Sequence, residues 1–442
     1  MRFKTIRRSA FVAVLTCLGV DAEQAAGRAE AFVPSDELNE VLPKWLRFSG
    51  EYRMRMESFK GAGFKEKSSD LYFLNRFRIN MKVQPVRWLK FQFQAQDARV
   101  WAKNQNPAAP PFQDRMDLRM AYVEAGDVEK GGVGFRGGRQ ELAFGEQRLV
   151  GNSNWANAAR TFDALRGTLR RNGFRLDAFA ATVVNTRDGE FNEHTSGNNL
   201  HGLYGGIEKL VPNAVIEPYL FWRLSQRLST ENGTLGNLDF KTAGVRFAGK
   251  LPGNFDYGME LAKQSGSLGT DKISAWACHW RLGHTRIKMR YKPRLVGEYN
   301  YATGDSGSQD GKRGTFDVLY PTPHDKYGLT DQVGWKNIHA FRTGVELKPH
   351  ARLTVSSFFH DSWLANSSDA LYAAPGAVSV RPTASSVGRH VGEELSAQAV
   401  YTANKQIQVA GGFSHLFPGL FLKTTTPGKA YNFSYLSFVY SF

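Results

Sequence analysis

Seven charged side chains crowd one stretch, GRQELAFGEQRLVGNSNWANAARTFDALR (138–166): Arg139, Glu141, Glu146, Arg148, Arg160, Asp163 and Arg166. Guanidinium and carboxylate groups at this density can brace one another. They can also form a constriction where charge of both signs strips and guides a polyanion. The two readings are compatible, because a narrow passage needs braced charges. Further cations fall at alternate positions. In WLRFSGEYRMRMESF (45–59), Arg47, Arg53 and Arg55 are odd, while Leu46, Phe48, Tyr52, Met54 and Met56 are even. In LYFLNRFRINMKV (71–83), Arg76, Arg78 and Lys82 oppose Phe73, Phe77, Ile79 and Met81, and in DRMDLRMAY (114–122) Arg115 and Arg119 oppose Met116, Leu118 and Met120.

Covalent catalysis finds little support. His360 and Asp361 adjoin, with Ser356 and Ser357 nearby, but neighbours in a strand point to opposite faces. The chain contains no GxSxG, HExxH or CxxC pattern. A hydrolase site assembled from distant strands stays as the alternative. GVGFRG (132–137) has GxGxxG spacing, yet it heads a strand-like run rather than joining a strand to a helix. Asp305, Asp310, Asp317, Asp325 and Asp331 share one long loop without the spacing of an EF-hand. That loop is expected to be solvated, or to fold inward and narrow a channel. No cofactor or metal is expected.

The elements that must position these residues follow from the period of the pattern. Side chains alternate with period two, not 3.6, in about eighteen segments between 45 and 442. Links after even-numbered segments are short: QPVR, GDVEK, RRNG, LVPNA, LPGN, a turn at Gly283, KPHA and TANK. Links after most odd-numbered ones are long and polar, the largest over 302–334 and 365–390. Such asymmetry around an even number of alternating strands describes a transmembrane antiparallel β-barrel of a bacterial outer membrane. A soluble sandwich has no reason to keep one end uniformly tight. Trp45, Trp88, Trp101, Trp335 and Trp363 fall at segment ends, where interfacial girdles belong. Leu436, Phe438, Tyr440 and Phe442 share one face of the last segment. A lipid-facing Arg at the midplane costs ~2–4 kcal/mol. Alternation therefore places Arg47, Arg53, Arg55, Arg76, Arg78, Lys82, Arg115 and Arg119 inside, on the wall of a water-filled lumen.

Bulk properties agree. Mean hydropathy is −0.40 and no run approaches a membrane-spanning helix. Basic Arg2, Lys4, Arg7 and Arg8 precede a short apolar run, and Val20-Asp21-Ala22 offers a cleavage site. Residues 1–22, or 1–31 if cleavage follows Ala31, are read as a signal peptide. Residues 23–44 are read as a periplasmic N-terminal segment and 45–442 as the barrel. Removing four basic residues and Asp21 lowers the formal charge from +16 to about +13. An exported basic chain points to acidic polymers or anionic lipid, not nucleic acid. One cysteine, Cys278, remains beyond the signal segment, so no intrachain disulfide is expected.

In 138–166 the chain resembles the alginate export family of outer-membrane porins, whose members carry a GRQEL-x-[FY]-G-x-x-RLVG…W…R-x-FD-x-x-R block. TFDVLYPTPHDKYGLTDQVGWKNI (315–338) is similar to that family's loop and following strand. The resemblance implies an eighteen-strand barrel whose arginine-rich lumen passes an acidic polysaccharide, such as alginate or its oligosaccharides. By motif it marks Arg139, Glu141, Arg148, Arg160, Asp163 and Arg166 as pore residues. A general non-specific porin is a further alternative. Expected partners are an anionic polysaccharide or oligosaccharide, outer-membrane lipid and, during insertion, barrel-assembly machinery.

Overall fold

Alternating segments become strands throughout. The computed structural model describes residues 33–442 apart from 106, 108, 109, 131, 308 and 385. The signal segment expected over 1–22, or to 31, lies outside the described residues. A helix α1 (Pro34–Val41) precedes the first strand, and Asn39 exchanges side-chain hydrogen bonds with the Phe48 backbone at 2.7 and 2.8 Å. The strands are β1 (Leu46–Lys60), β2 (Ser69–Val86), β3 (Leu89–Trp101), β4 (Asp114–Gly126), β5 (Val133–Gln140) and β6 (Phe162–Arg171). They continue with β7 (Phe174–Asn185), β8 (Glu193–Ile207), β9 (Ala214–Ser229), β10 (Leu235–Leu251), β11 (Phe255–Leu268) and β12 (Asp271–Thr285). The last are β13 (Arg294–Ala302), β14 (Ile338–His350), β15 (Leu353–Leu364), β16 (His390–Thr402), β17 (Ile407–Pro418) and β18 (Tyr431–Ser441). A short helix α2 (Leu420–Thr425) lies before β18.

Each strand pairs antiparallel with the next, and β18 returns to β1 through Glu51↔Ser441 to Lys60↔Asn432. The sheet is therefore closed, and no edge leaves backbone donors unpaired. At the seam Gly50 N–H donates to the Phe442 carbonyl at 2.6 Å and Phe442 N–H to the Gly50 carbonyl at 3.0 Å. A Cβ on Gly50 would stand 2.2 Å from the Phe442 ring, so only glycine leaves room for that ring. Among the described residues no helix is long and apolar enough to cross a membrane; the crossing is made by strands.

Two local expectations change. Gly283 is not a turn: β12 runs through it to Thr285, and the chain reverses over 286–293 instead. Trp335 is not in a girdle. It is 1% exposed, its indole N–H donates to the Tyr301 carbonyl at 3.0 Å, and it packs on Phe316. Trp45, Trp88 and Trp101 stay exposed at strand ends.

The core lies inside the cylinder. Two long connections, 141–161 after β5 and 303–337 after β13, carry Leu142, Phe144, Leu149, Phe316, Leu329 and Trp335 into a buried cluster with the inward faces of β6 to β14. Phe144 stacks on Phe179 and Tyr204 at centroid distances of 5.2 and 4.8 Å. Apolar side chains thus cover both faces of the wall in this sector.

Candidate functional site

The inward path of 141–161 begins at Gly138, whose φ is +121° and where a Cβ would meet the Ala121 carbonyl at 2.4 Å. Beyond Gln140 the chain leaves the sheet of the wall, so its carbonyls need other donors. Arginines of β1 and β2 supply them, because a guanidinium offers five N–H groups in a fixed fork. Arg53 donates to the carbonyls of Asn154 at 2.8 Å, Trp155 at 3.2 Å and Ala156 at 3.2 Å. Arg76 donates to Asn154 and Ala156 at 3.1 and 3.3 Å and is paired with Glu51 at 2.6 Å. Arg55 donates to the Trp155 carbonyl at 2.8 Å and pairs with Glu57 at 2.6 Å, while Arg78 reaches Asn154 Oδ1 at 2.9 Å. All four point inward, yet they are buried under this segment rather than bare to water.

The segment from 303 docks on the first one edge to edge. Gly151 N–H donates to the Tyr320 carbonyl at 2.9 Å, Tyr320 N–H to Leu149 at 2.8 Å and Thr322 N–H to Gln147 at 2.9 Å. Arg160 clamps both segments, donating to the carbonyls of Gly151 at 3.1 Å and Pro321 at 2.8 Å. The Trp155 indole carries the Arg55 guanidinium 3.8 Å from its centroid and the His324 ring at 3.7 Å, tilted by 9°. Two groups so close cannot share a face, so the indole is sandwiched. On the far wall Arg148 reaches Glu298 at 3.0 Å, Tyr327 Oη at 3.2 Å and Asn300 at 3.3 Å. The aspartates of 303–337 do not converge: Asp317 pairs with Arg223 at 2.7 Å, Asp331 with His324 at 2.8 Å, and Asp325 accepts from Gln398 at 2.9 Å.

Other expected site residues are placed as follows. Arg47 donates to the Pro43 carbonyl at 2.7 Å beside the first strand's start. Lys82 is half-buried near the end of β2. Arg119 donates to Gln94 at 2.6 Å and is paired with Glu141, which also accepts from Asn152 at 3.1 Å. Arg166 binds Asp177 at 2.8 Å and Glu129 at 3.5 Å.

Three residues need correction. Met116 has φ +53° and β4 carries an extra residue opposite β3, so Arg115 leaves the inward face. It pairs with Asp188 at 2.9 Å and is exposed beside Met116. Arg139 and Asp163 are cross-strand partners that share parity with outward Phe135 and Leu165, and they pair at 2.8 Å with His194 attached at 2.9 Å. That cluster is on the outer surface and braces the wall from outside.

Alternation missed a second set of cations. Arg281, Arg294 and Arg342 come from β12, β13 and β14, and Lys326 comes from the 303–337 segment. With Glu146, Arg148, Glu298, Asp325 and Glu346 they line an inner cavity of about 180 Å³. Arg246 of β10 joins its edge through Glu146 at 3.4 Å. Burial works against ionisation of Glu146, but the guanidiniums of Arg148 and Arg281 hold its carboxyl at about 2. Burial, and then Arg148, pull the Lys326 ammonium down to about 8. The Nε groups of Arg281 and Arg342 are buried without a protein partner. A larger cavity of about 600 Å³ opens among the extracellular ends of β9 to β12, lined by Arg223, Asp317, Lys336 and Arg381 among others. These cations were hidden in the sequence because Ile338, Ala340, Ala275 and Ala277 share their inward faces, so the polar–apolar contrast is lost there.

The catalytic alternative gains nothing from the fold: His360 is buried on the inward face and Asp361 bonds outward-side His390 at 2.9 Å. The barrel matches solved porins at low identity. OccAB2 of Acinetobacter baumannii has a TM-score of 0.60 and 12% identity over 89% of this chain and 98% of that one. OpdQ of Pseudomonas aeruginosa has 0.61 and 11% over 90% and 98%, and OccK2 (OpdF) of the same organism, in complex with glucuronate, has 0.60 and 9% over 90% and 98%. A comparison with curated protein sequences returned no match. The family model for alginate export matches residues 44–435, which takes in every strand from β1 into β18. A closed barrel of eighteen strands, narrowed by two inward segments and carrying that family's sequence over nearly its whole length, belongs to the alginate export family and is a pore of the bacterial outer membrane.

Proposed function

We propose that this pore passes anionic saccharides, uronate-rich polysaccharide such as alginate or its oligosaccharides. The observation that carries this reading is the inner cavity, which Arg281, Arg294 and Arg342 line and where Lys326 has no ion-pair partner among the described residues. Donors so placed can take over part of the hydration shell of a carboxylate. The neighbouring Glu146 and Glu298 keep each contact weak enough to be released, as conduction requires. Planar-arginine geometry suits carboxylate recognition. The family supports the same reading, as does the glucuronate complex of OccK2.

Planar-bilayer recordings test it. In a potassium chloride gradient the wild-type reversal potential should show anion preference, and uronate oligosaccharides should block the current. Arg281→Glu with Arg342→Glu should move the reversal potential toward the cation value and abolish block. Equal block by a neutral oligosaccharide, or an unmoved reversal potential, would sink the proposal and leave a general porin.

A further inference from the structure

The outer surface carries charge as well as the lumen. Around β3 to β8 the outward arginines away from the periplasmic turns are neutralised within the protein: Arg99 by Asp97 at 2.7 Å, Arg115 by Asp188 at 2.9 Å and Arg139 by Asp163 at 2.8 Å. The sector β10 to β12 differs. Lys241, Lys263 and Lys272 are exposed there, and none makes an ion pair among the described residues. Register fixes their direction. Lys241 lies opposite Trp222 and Ser265, and Lys263 opposite Ala243 and Trp276, while the intervening Phe240, Thr242, Ala262 and Gln264 are buried on the inward side. The nearby carboxylate Asp239 accepts the Trp222 indole N–H at 2.7 Å. Lys241 Nζ stands 5.4 Å from the centroid of that indole, and Lys263 Nζ reaches only the Ser274 hydroxyl at 3.1 Å.

Depth and shape narrow what could meet these ammoniums. Both lysines are in the extracellular halves of their strands, level with outward Trp222 and Trp276, an aromatic pair that belongs at a headgroup boundary. Lys241 and Lys263 are diagonal neighbours across β10 and β11, with Cα atoms ~7–8 Å apart, so two flexible stems can converge on one anion. Trp222 also forms one wall of an apolar groove of about 830 Å³ on the same surface. Gly167, Ala178 and Ala180 hollow it out between Leu165, Leu203 and Leu220. The cationic pair and the groove therefore meet at one side chain.

We propose that Lys241 and Lys263, with the groove beside Trp222, hold a phosphorylated glycolipid of the outer leaflet, its phosphate between the two ammoniums and an acyl chain in the groove. A phosphate monoester carries about −1.5 to −2 charges at neutral pH, which two lysines match. Lys272, toward the rim, faces the same headgroup layer.

Native mass spectrometry of the detergent-solubilised barrel, with a bisphosphorylated lipid A as probe, tests the assignment. The wild type should retain bound lipid A, and should retain the same lipid stripped of its phosphates far less. Lys241→Gln with Lys263→Gln should lower the bound fraction at least tenfold. Lys241→Arg with Lys263→Arg should restore it, and Lys288→Gln in the 286–293 turn should change nothing. Single Lys263→Gln serves if the double variant fails to assemble, with a smaller loss expected. Undiminished binding in the glutamine variants, or equal retention of the dephosphorylated lipid, would overturn the assignment.

Discussion

Lys326 is a lumen cation whose charge can change within an accessible pH range. Burial and Arg148 pull its ammonium down to about 8, against the opposing pull of Glu146, Glu298 and Asp325. The sign follows directly: the side chain is charged below that value and neutral above it. Anion preference in bilayer recordings should therefore fall between pH 7 and pH 9. Lys326→Arg should stay anion-preferring at both values, because arginine does not titrate there, and Lys326→Gln should show the reduced preference throughout. A wild-type profile that is flat across this interval would remove Lys326 from the conduction path. At this scale the sequence is least legible. Arg115 was assigned by counting alternate residues, and one bulge at Met116 reverses that count. Arg139 and Asp163 were assigned by motif, which records which residues recur together but not which side of the wall they occupy. Lys326 carries no signal at all, since its environment is made by Arg148, about half a barrel away in sequence.

The elements were far more legible than the residues on them. Eighteen alternating segments became eighteen strands, because a two-residue period survives uncertainty at either end. The turn expected at Gly283 lies further on because Ile287 and Met289 alternate with Arg286, Lys288 and Arg290, so the 286–293 turn imitates a strand. The inward segments have no period to read; they are defined by what holds them. Arg53 and Arg76 together supply donors to three successive carbonyls from Asn154 to Ala156. A hydrogen bond to a charged group contributes about 1.5–3 kcal/mol, so Arg53→Ala with Arg76→Ala should free the segment while the closed sheet persists. We expect a larger and noisier single-channel conductance with unchanged strand content by circular dichroism. Conductance identical to wild type would mean that the Trp155 sandwich and Arg160 suffice to hold the constriction.

At the scale of the whole molecule, closure and filling are separate problems. An eighteen-strand cylinder on its own encloses an aqueous channel; here two inward segments fill part of it, and the β1–β18 seam closes the wall. The seam joins the first strand to the last, so its contacts have the greatest separation in sequence and form under the largest loop-closure penalty. Gly50 and Phe442 sit at its end, exchanging two backbone hydrogen bonds while the Phe442 ring covers the glycine and stacks on Phe77 at 6.2 Å. Gly50→Val would put a branched side chain where a single Cβ already stands 2.2 Å from the ring, and the Arg78 carbonyl, at 2.8 Å, blocks escape toward β2. Overpacking of this kind costs about 1–3 kcal/mol, and here it falls on the pairing that closes the cylinder. The expected outcome is slower assembly and a lower melting temperature, read as loss of the compact, heat-sensitive gel band, with Phe442→Ala in the same chain partly relieving it. If Gly50→Val assembled and melted like wild type, the seam would not be the weak point of closure, and the inward segments rather than the β1–β18 ladder would be what locks the cylinder.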